Sequence, residues 1–269
     1  MSTATALPQI YSFGHALDMA DDKIGLLRDS SDAAENVPEL RRRFADDGYL
    51  YMKGYLDRDE VLAARATLTA GLAAAGVLDP AHPTIDGVCQ PGAGYVFKPE
   101  LTNNNPAVQN LLYSGRLPEF YRQFYGEEIR HYDFTWLRAI GPGKGTNPHC
   151  DLPYMGRGTH GHMTCWLPYG DISFELGGLM VLEGSHKRMD LLENYIYRDV
   201  DSYCANKPEQ VKMPRPVPKA SAGPSAAPSP TTRPSSAINS TAAGSPPSSN
   251  PAISSPSACS LSTPRSTTA

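Results

Sequence analysis

Three features of the sequence predict an α+β fold, with helices packed on a β-sheet or barrel. Helical patterns crowd into the first half of the chain, short strand-like runs follow between residues 131 and 182, and beyond residue 211 the composition changes character. Of the 58 residues in 212–269, 43 are Ser, Pro, Ala or Thr, and none is acidic, aromatic or His. Such a tract cannot bury enough apolar surface to offset the entropy of ordering it, so it is expected as a disordered tail. Residues 36–211 are expected as the folded domain, preceded by a loose N-terminal arm over 1–35, and together they are long enough for a sizeable core.

The helices announce themselves by their ends. Asn36 is placed to cap a helix with Pro38 in its first turn, Leu40 and Phe44 on one face, and Gly48 as its stop. Residues 49–52 then read as a short strand. Asp57-Arg58-Asp59-Glu60 has capping-box spacing and opens an Ala/Leu-rich core helix, interrupted by Arg65, that runs to about Ala75 before Gly76. Two shorter helices are expected over 106–113 and 117–124. After them the texture turns to strands over 131–140, 162–167 and 178–182, with a Gly-rich loop at 141–145 and Gly184 closing the last strand.

Charge and cysteine usage narrow the function classes. The tail carries five basic residues and no acid, so the rest holds 19 basic and 28 acidic residues, a net −9 against −4 for the whole chain. An acidic body argues against nucleic acid as the partner. Residues 1–19 have neither a basic start nor a long apolar run, and no stretch has the length of a membrane span. Cys89, Cys150, Cys165, Cys204 and Cys259 form no paired spacing and read as reduced thiols in a cytoplasmic protein.

The chemistry-bearing stretch is His149-Cys150-Asp151, behind the Gly-rich loop. A His and an Asp two residues apart point to one side of an extended strand end, where they can hold two adjacent positions on a divalent metal. Non-haem Fe(II) oxygenases bind iron with two His and one carboxylate on one face of the ion, leaving the other face open. The competing reading is a surface turn after Pro148 in which Asp151 serves as a cap. A second candidate pair, His160 and His162, shares the same spacing and is of the kind a cupin-like metal site uses, but the partner Glu of such a site is not at the expected distance. Trp166 follows, and then Gly177-Gly178-Leu179-Met180-Val181-Leu182-Glu183-Gly184-Ser185-His186-Lys187.

In order and spacing these motifs resemble the phytanoyl-CoA dioxygenase family of Fe(II)/2-oxoglutarate oxygenases. Phe44-x-x-x-Gly48-Tyr49 with Gly54-Tyr55-Leu56, and Lys98 ahead of Pro118-Glu119-Phe120, match the family's opening, so the resemblance covers about residues 36–195. It implies a double-stranded β-helix (jelly-roll) core with N-terminal helices packed on it. It further implies Fe(II) held by His149 and Asp151, and 2-oxoglutarate lined by Lys98 and Trp166. O2 and a small organic molecule to be hydroxylated would be the remaining reactants. His186 matches a structural landmark of the family.

The same resemblance exposes a gap. Family members carry a second ligand His and a 2-oxoglutarate-binding Arg on later strands, whereas no His follows His186 here and Arg215, Arg233 and Arg265 lie in the Ser/Pro-rich tract. The barrel is therefore expected to be incomplete, its C-terminal part lost or frameshifted. An inactive oxygenase, a remnant that binds a metabolite or a protein, and a cupin-like metal-binding protein all remain open at this point.

Overall fold

The computed structural model describes residues 7–12, 14–141, 145–156, 160–174, 176–198 and 200, together with the backbone of 239–243 and 259–261. A two-stranded antiparallel hairpin, β1 (Tyr11–Ser12) and β2 (His15–Ala16), opens the chain. From Arg28 onward the N-terminal arm is fastened to the body. Ser30 is buried and its N–H donates to the Tyr51 carbonyl, and Arg28 pairs with Asp47 at 2.7 Å.

Helix α1 (Val37–Asp47) begins where expected, with the Asn36 side chain accepting from the Glu39 N–H and Gly48 closing it at φ +83°. After β3 (Leu50–Lys53), Asp57 accepts from the N–H groups of Asp59 and Glu60 to start α2 (Arg58–Ala74). β4 (Tyr95–Phe97) is followed by a one-turn 3-10 helix (Pro99–Thr102), then α3 (Pro106–Tyr113) and α4 (Arg116–Tyr125). Arg41 of α1 reaches the end of α4, donating from Nε to the Phe124 carbonyl at 2.7 Å and from its guanidinium fork to that of Gln123 at 3.1 Å. These are terminal carbonyls with no partner inside their own helix.

Two clusters make the core. In one, α2 contributes Val61, Ala64, Leu68 and Leu72 against Val108 and Leu111 of α3 and against Leu137 and Ala139. In the other, Leu40, Leu50, Met52, Phe120 and Phe124 pack together, with Phe44 edge-on to Phe124 at 5.4 Å. Burying a side chain of Phe or Leu size contributes about 1.5–3 kcal/mol, so these two seams fix how the helices lie on the strands.

The strand-rich half is shorter in strand than the sequence predicts. Of residues 131–140, only β5 (Leu137–Ile140) joins a ladder, antiparallel to β4 with Phe97 opposite Arg138. β4 offers no partner further back, because Pro99 lacks an N–H and starts the 3-10 turn. Of residues 162–167, β6 (Thr164–Trp166) is extended in a ladder. Residues 178–182 form no strand: Gly177 turns at φ +82°, and the segment runs as loop into a 3-10 turn (Ser185–Lys187).

Two short helices frame the remaining strand-rich half. They are α5 (Leu152–Met155) and α6 (Met189–Leu191), the latter continuing into a π-turn (Leu192–Ile196). Two pieces of the expected tail, β7 (Asn239–Ala243) and β8 (Cys259–Leu261), pair in parallel. β7 lies between β3 and β6, and β8 lies along β5. The rest of the tail, like residues 142–144 of the Gly-rich loop, lies outside the described residues. The sheets of the described residues have two or three strands each and do not close into a barrel. Among the described residues, no helix is long and apolar enough to cross a membrane.

Candidate functional site

The site is built where the chain leaves β5, passes the Gly-rich loop and turns into α5. His149 and Asp151 do not sit on a strand end as expected. Asp151 is helical at φ −75°, ψ −28°, and its carbonyl accepts from the N–H groups of Tyr154 and Met155, so α5 starts on it. Leu152, Leu192 and Ile196 form a small core beneath that turn. The turn still brings the two side chains together, with His149 Nε2 3.9 Å from Asp151 Oδ1.

Their surroundings orient both donors. His149 Nδ1 bonds to the Asn147 carbonyl. A carbonyl can only accept, so Nδ1 carries a proton, and Nε2 is the ring nitrogen turned toward Asp151. Asp151 is buried, and its Oδ2 accepts from the Thr164 hydroxyl of β6 at 2.6 Å, leaving Oδ1 on the His149 side. A ligand His with its other N–H on a carbonyl, and a ligand carboxylate held by a neighbouring donor, are the supports found around protein-bound metals. First-row divalent ions bond such N and O donors at roughly 2.1 Å, which sets donors at adjacent positions about 3.0 Å apart, so the 3.9 Å between Nε2 and Oδ1 has to close by about 0.9 Å for one ion to take both.

Between the two residues, the Cys150 N–H donates to the Tyr195 hydroxyl at 3.3 Å. Burial, aided by the Asp151 charge, pushes the Cys150 thiol up to about 11, so it stays protonated at neutral pH and is a poor third ligand. Among the described residues, no three His, Cys, Asp or Glu side chains are placed to share an ion. The alternative pair, His160 and His162, gathers no such third donor among the described residues either. The His160 ring stacks on Tyr197 at 5.0 Å, and His162 is partly buried two residues before Thr164.

The other residues singled out from the sequence divide. Trp166 is partly buried and lies two positions after Thr164 on β6, hence on the same strand face as the group that holds Asp151. Lys98 belongs to the other sheet, at the end of β4, where its ammonium pairs with Glu100 Oε1 at 3.2 Å. No hydrogen bond or ion pair among the described residues links it to His149 or Asp151. His186 is structural, with Nε2 on the Ala45 carbonyl at 3.1 Å and its ring against Gly48.

Sequence reasoning missed a row of aromatic rings leading away from the pair. The His149 and Tyr154 rings meet at 6.3 Å, and the Tyr132 hydroxyl donates to the Met155 carbonyl at the end of α5. From Tyr132 the row continues to Trp136 at 6.4 Å, to Phe134 at 4.7 Å from Trp136, and to Phe97 at 6.3 Å from Phe134. Tyr154, Tyr132, Phe134 and Phe97 are exposed. The signal was present in the sequence: aromatic residues occupy every even position of 132–136, while His131, Asp133 and Thr135 hold the odd ones.

The chain is 30% identical over 159 residues to a 1-deoxypentalenic acid 11-beta-hydroxylase of Streptomyces exfoliatus, an alignment covering 55% of this chain and 54% of that protein. The chain thus spans about half the length of that curated relative. No solved structure matches it. The family model for phytanoyl-CoA dioxygenase (PhyH) matches residues 44–218, which include the H-x-D pair, Trp166 and the Gly-Ser-His turn, and the chain belongs to that family.

Proposed function

We propose that this chain is an Fe(II)- and 2-oxoglutarate-dependent oxygenase domain on a jelly-roll plan, with His149 and Asp151 holding the metal and a small organic molecule as substrate. The observation that carries the reading is the support of the pair. Thr164 anchors one carboxylate oxygen, the Asn147 carbonyl orients the imidazole through Nδ1, and the remaining donors face each other at 3.9 Å. Held there, ferrous iron would activate O2, the oxidant, whose two oxygen atoms end in succinate (formed with CO2 from 2-oxoglutarate) and in the hydroxyl group placed on an unactivated C–H carbon.

This chain's own residues supply binding and orientation. Trp166 forms an apolar wall beside the ligand carboxylate. The rings from Tyr154 to Phe97 offer a surface for the hydrocarbon part of a substrate, in keeping with a relative named as a hydroxylase of an organic acid. Lys98 would act on the cosubstrate only by exchanging the Glu100 carboxylate for one of 2-oxoglutarate. Among the described residues, His149 and Asp151 offer iron two side chains, and no third His, Cys, Asp or Glu joins them. We infer weak iron affinity and little or no turnover.

That same gap favours a second reading, a family-derived module that binds a metabolite or partner without turnover. Anaerobic titration of the purified chain with Fe(II) and 2-oxoglutarate separates the two. A metal-to-ligand charge-transfer band that disappears in His149→Ala supports the oxygenase site. A folded protein with no band at saturating iron overturns it and leaves the binding module.

A further inference from the structure

The odd positions of 131–135 face something different from the aromatic row. His131, Asp133 and Thr135 line a cleft of about 560 Å³, whose other walls come from Asn103 and Asn104, after the 3-10 turn, and from Gln109 and Tyr113 of α3. We propose that this cleft is a second ligand site, separate from the His149–Asp151 pair, for a neutral polyhydroxylated molecule of sugar type.

The chemistry of the walls sets the class. No Lys or Arg lines the cleft, so an anion finds no counter-charge there. Asp133 is the one carboxylate among the lining residues, too little negative charge to favour a divalent cation over its hydration shell. What remains is three carboxamides, two hydroxyls and a ring nitrogen, groups that both give and take hydrogen bonds. A sugar hydroxyl likewise gives and takes, so one such wall satisfies several of them at once. The volume lies within the range of small-molecule sites.

Several of these groups are already held in place. The Tyr113 and His131 rings meet at 4.2 Å between centres, tilted by 36°, and the Tyr113 hydroxyl shares a short hydrogen bond with Thr135 Oγ1. His131 Nδ1 meets the Tyr132 carbonyl at 2.9 Å, so Nδ1 carries a proton and donates it there. Gln109 donates from Nε2 to the Thr102 carbonyl at 2.9 Å, which fixes its amide. The Asn103 and Asn104 side chains make no hydrogen bond to any described residue.

Asn104 adds an independent sign. At φ +53° it is the one non-glycine residue in the left-handed region among the described residues. Glycine would make the same turn at lower cost, so what the position gains from Asn is a carboxamide at the cleft. Strained positions of this kind gather at ligand sites.

Saturation-transfer difference NMR on the full chain, with maltose and D-glucose as neutral probes and inorganic phosphate as the charged control, tests the site. Transfer to a neutral sugar is expected, with no phosphate binding detected by 31P line width. Asn104→Gly keeps the turn and removes the carboxamide, and Tyr113→Phe keeps the ring and removes the hydroxyl. Each should weaken sugar binding about tenfold, the worth of one good hydrogen bond, with circular dichroism unchanged. His149→Ala should bind sugar like the parent. Silence from both sugars, phosphate binding in their place, or equal transfer to the folded Asn104→Gly variant overturns the proposal.

Discussion

The Thr164 hydroxyl donates to Asp151 Oδ2 across 2.6 Å in a buried setting, and this bond ties the candidate carboxylate ligand to β6. Thr164→Val preserves the shape of the side chain and removes the donor. Iron affinity should fall roughly 10–100-fold, the range seen when the support of a metal ligand is lost. Removing a partner from a buried group should also cost about 1–3 kcal/mol of stability. Thr164→Ser should recover most of both. Parallel iron titration and urea unfolding check this, and unchanged iron binding in folded Thr164→Val would remove the threonine from the site.

Gly48 and His186 meet with no room between them. A methyl group on Gly48 would lie 2.3 Å from His186 Nδ1, and the ring is held by the Ala45 carbonyl. Gly48 also closes α1 at φ +83°, where an L side chain is strained. Gly48→Ala should therefore destabilise the protein by about 2 kcal/mol or more. In Gly48→Ala with His186→Ala the clash is gone while the backbone strain remains, so the double variant should lose less than the two single costs combined. Strict additivity in a thermal or urea double-mutant cycle would show that the two residues do not couple.

The helical half was legible in the sequence and the strand half only in part. Asn36, Asp57, Gly48, Gly76 and Gly126 are local signals, and each acts within a few residues of where it stands. The 131–140 run looked like strand throughout, but strand needs a partner, and β4 ends at Phe97 because of what Pro99 does in a distant part of the chain. The pair His149/Asp151 was readable from its spacing. Its support was not, since Thr164 lies 13 residues on and nothing local marks its hydroxyl as aimed at Asp151. Lys98 illustrates the converse: its type suited a carboxylate partner, and the partner it found is Glu100, two residues away.

Acid should loosen the N-terminal seam. Hydrogen bonds from Arg42 and then Arg43 hold the Glu39 carboxyl at about 2, below its usual 4.5, and Arg43 also forks onto Asp32 at 2.6 and 2.7 Å. A carboxyl whose folded value is depressed adds stability that is fully present above its unfolded value and is lost as pH falls through the folded one. The contribution is thus present above about pH 4.5 and disappears toward pH 2. Glu39→Gln should flatten the fall of melting temperature across that window and leave the residual slope from Asp32, whose carboxyl is lowered by the same arginine. Coincident curves for parent and variant from pH 5 to 2 would show that the pair carries no stability.

Arg65 is the strongest test of a residue that the sequence presents as an interruption of an apolar helix. Its Nε donates to the Ile85 carbonyl at 2.8 Å, and its two terminal nitrogens donate to the carbonyls of Tyr169 at 3.1 Å and Asp86 at 2.7 Å. Burial holds its pKa below the usual range, yet the guanidinium stays charged at any pH at which the protein folds. Three loop carbonyls from two distant segments thus converge on one planar fork, and a side chain on Gly170 would enter its space at 2.7 Å. Arg65→Met keeps the apolar stem and removes all three donors, and should cost about 3 kcal/mol or more. Arg65→Lys should recover less than half of that, because one ammonium cannot span three carbonyls set for a fork. Urea unfolding should show lowered midpoints with the slope unchanged. A lysine variant as stable as the parent would mean that charge alone, and not the geometry of the fork, joins these loops to α2.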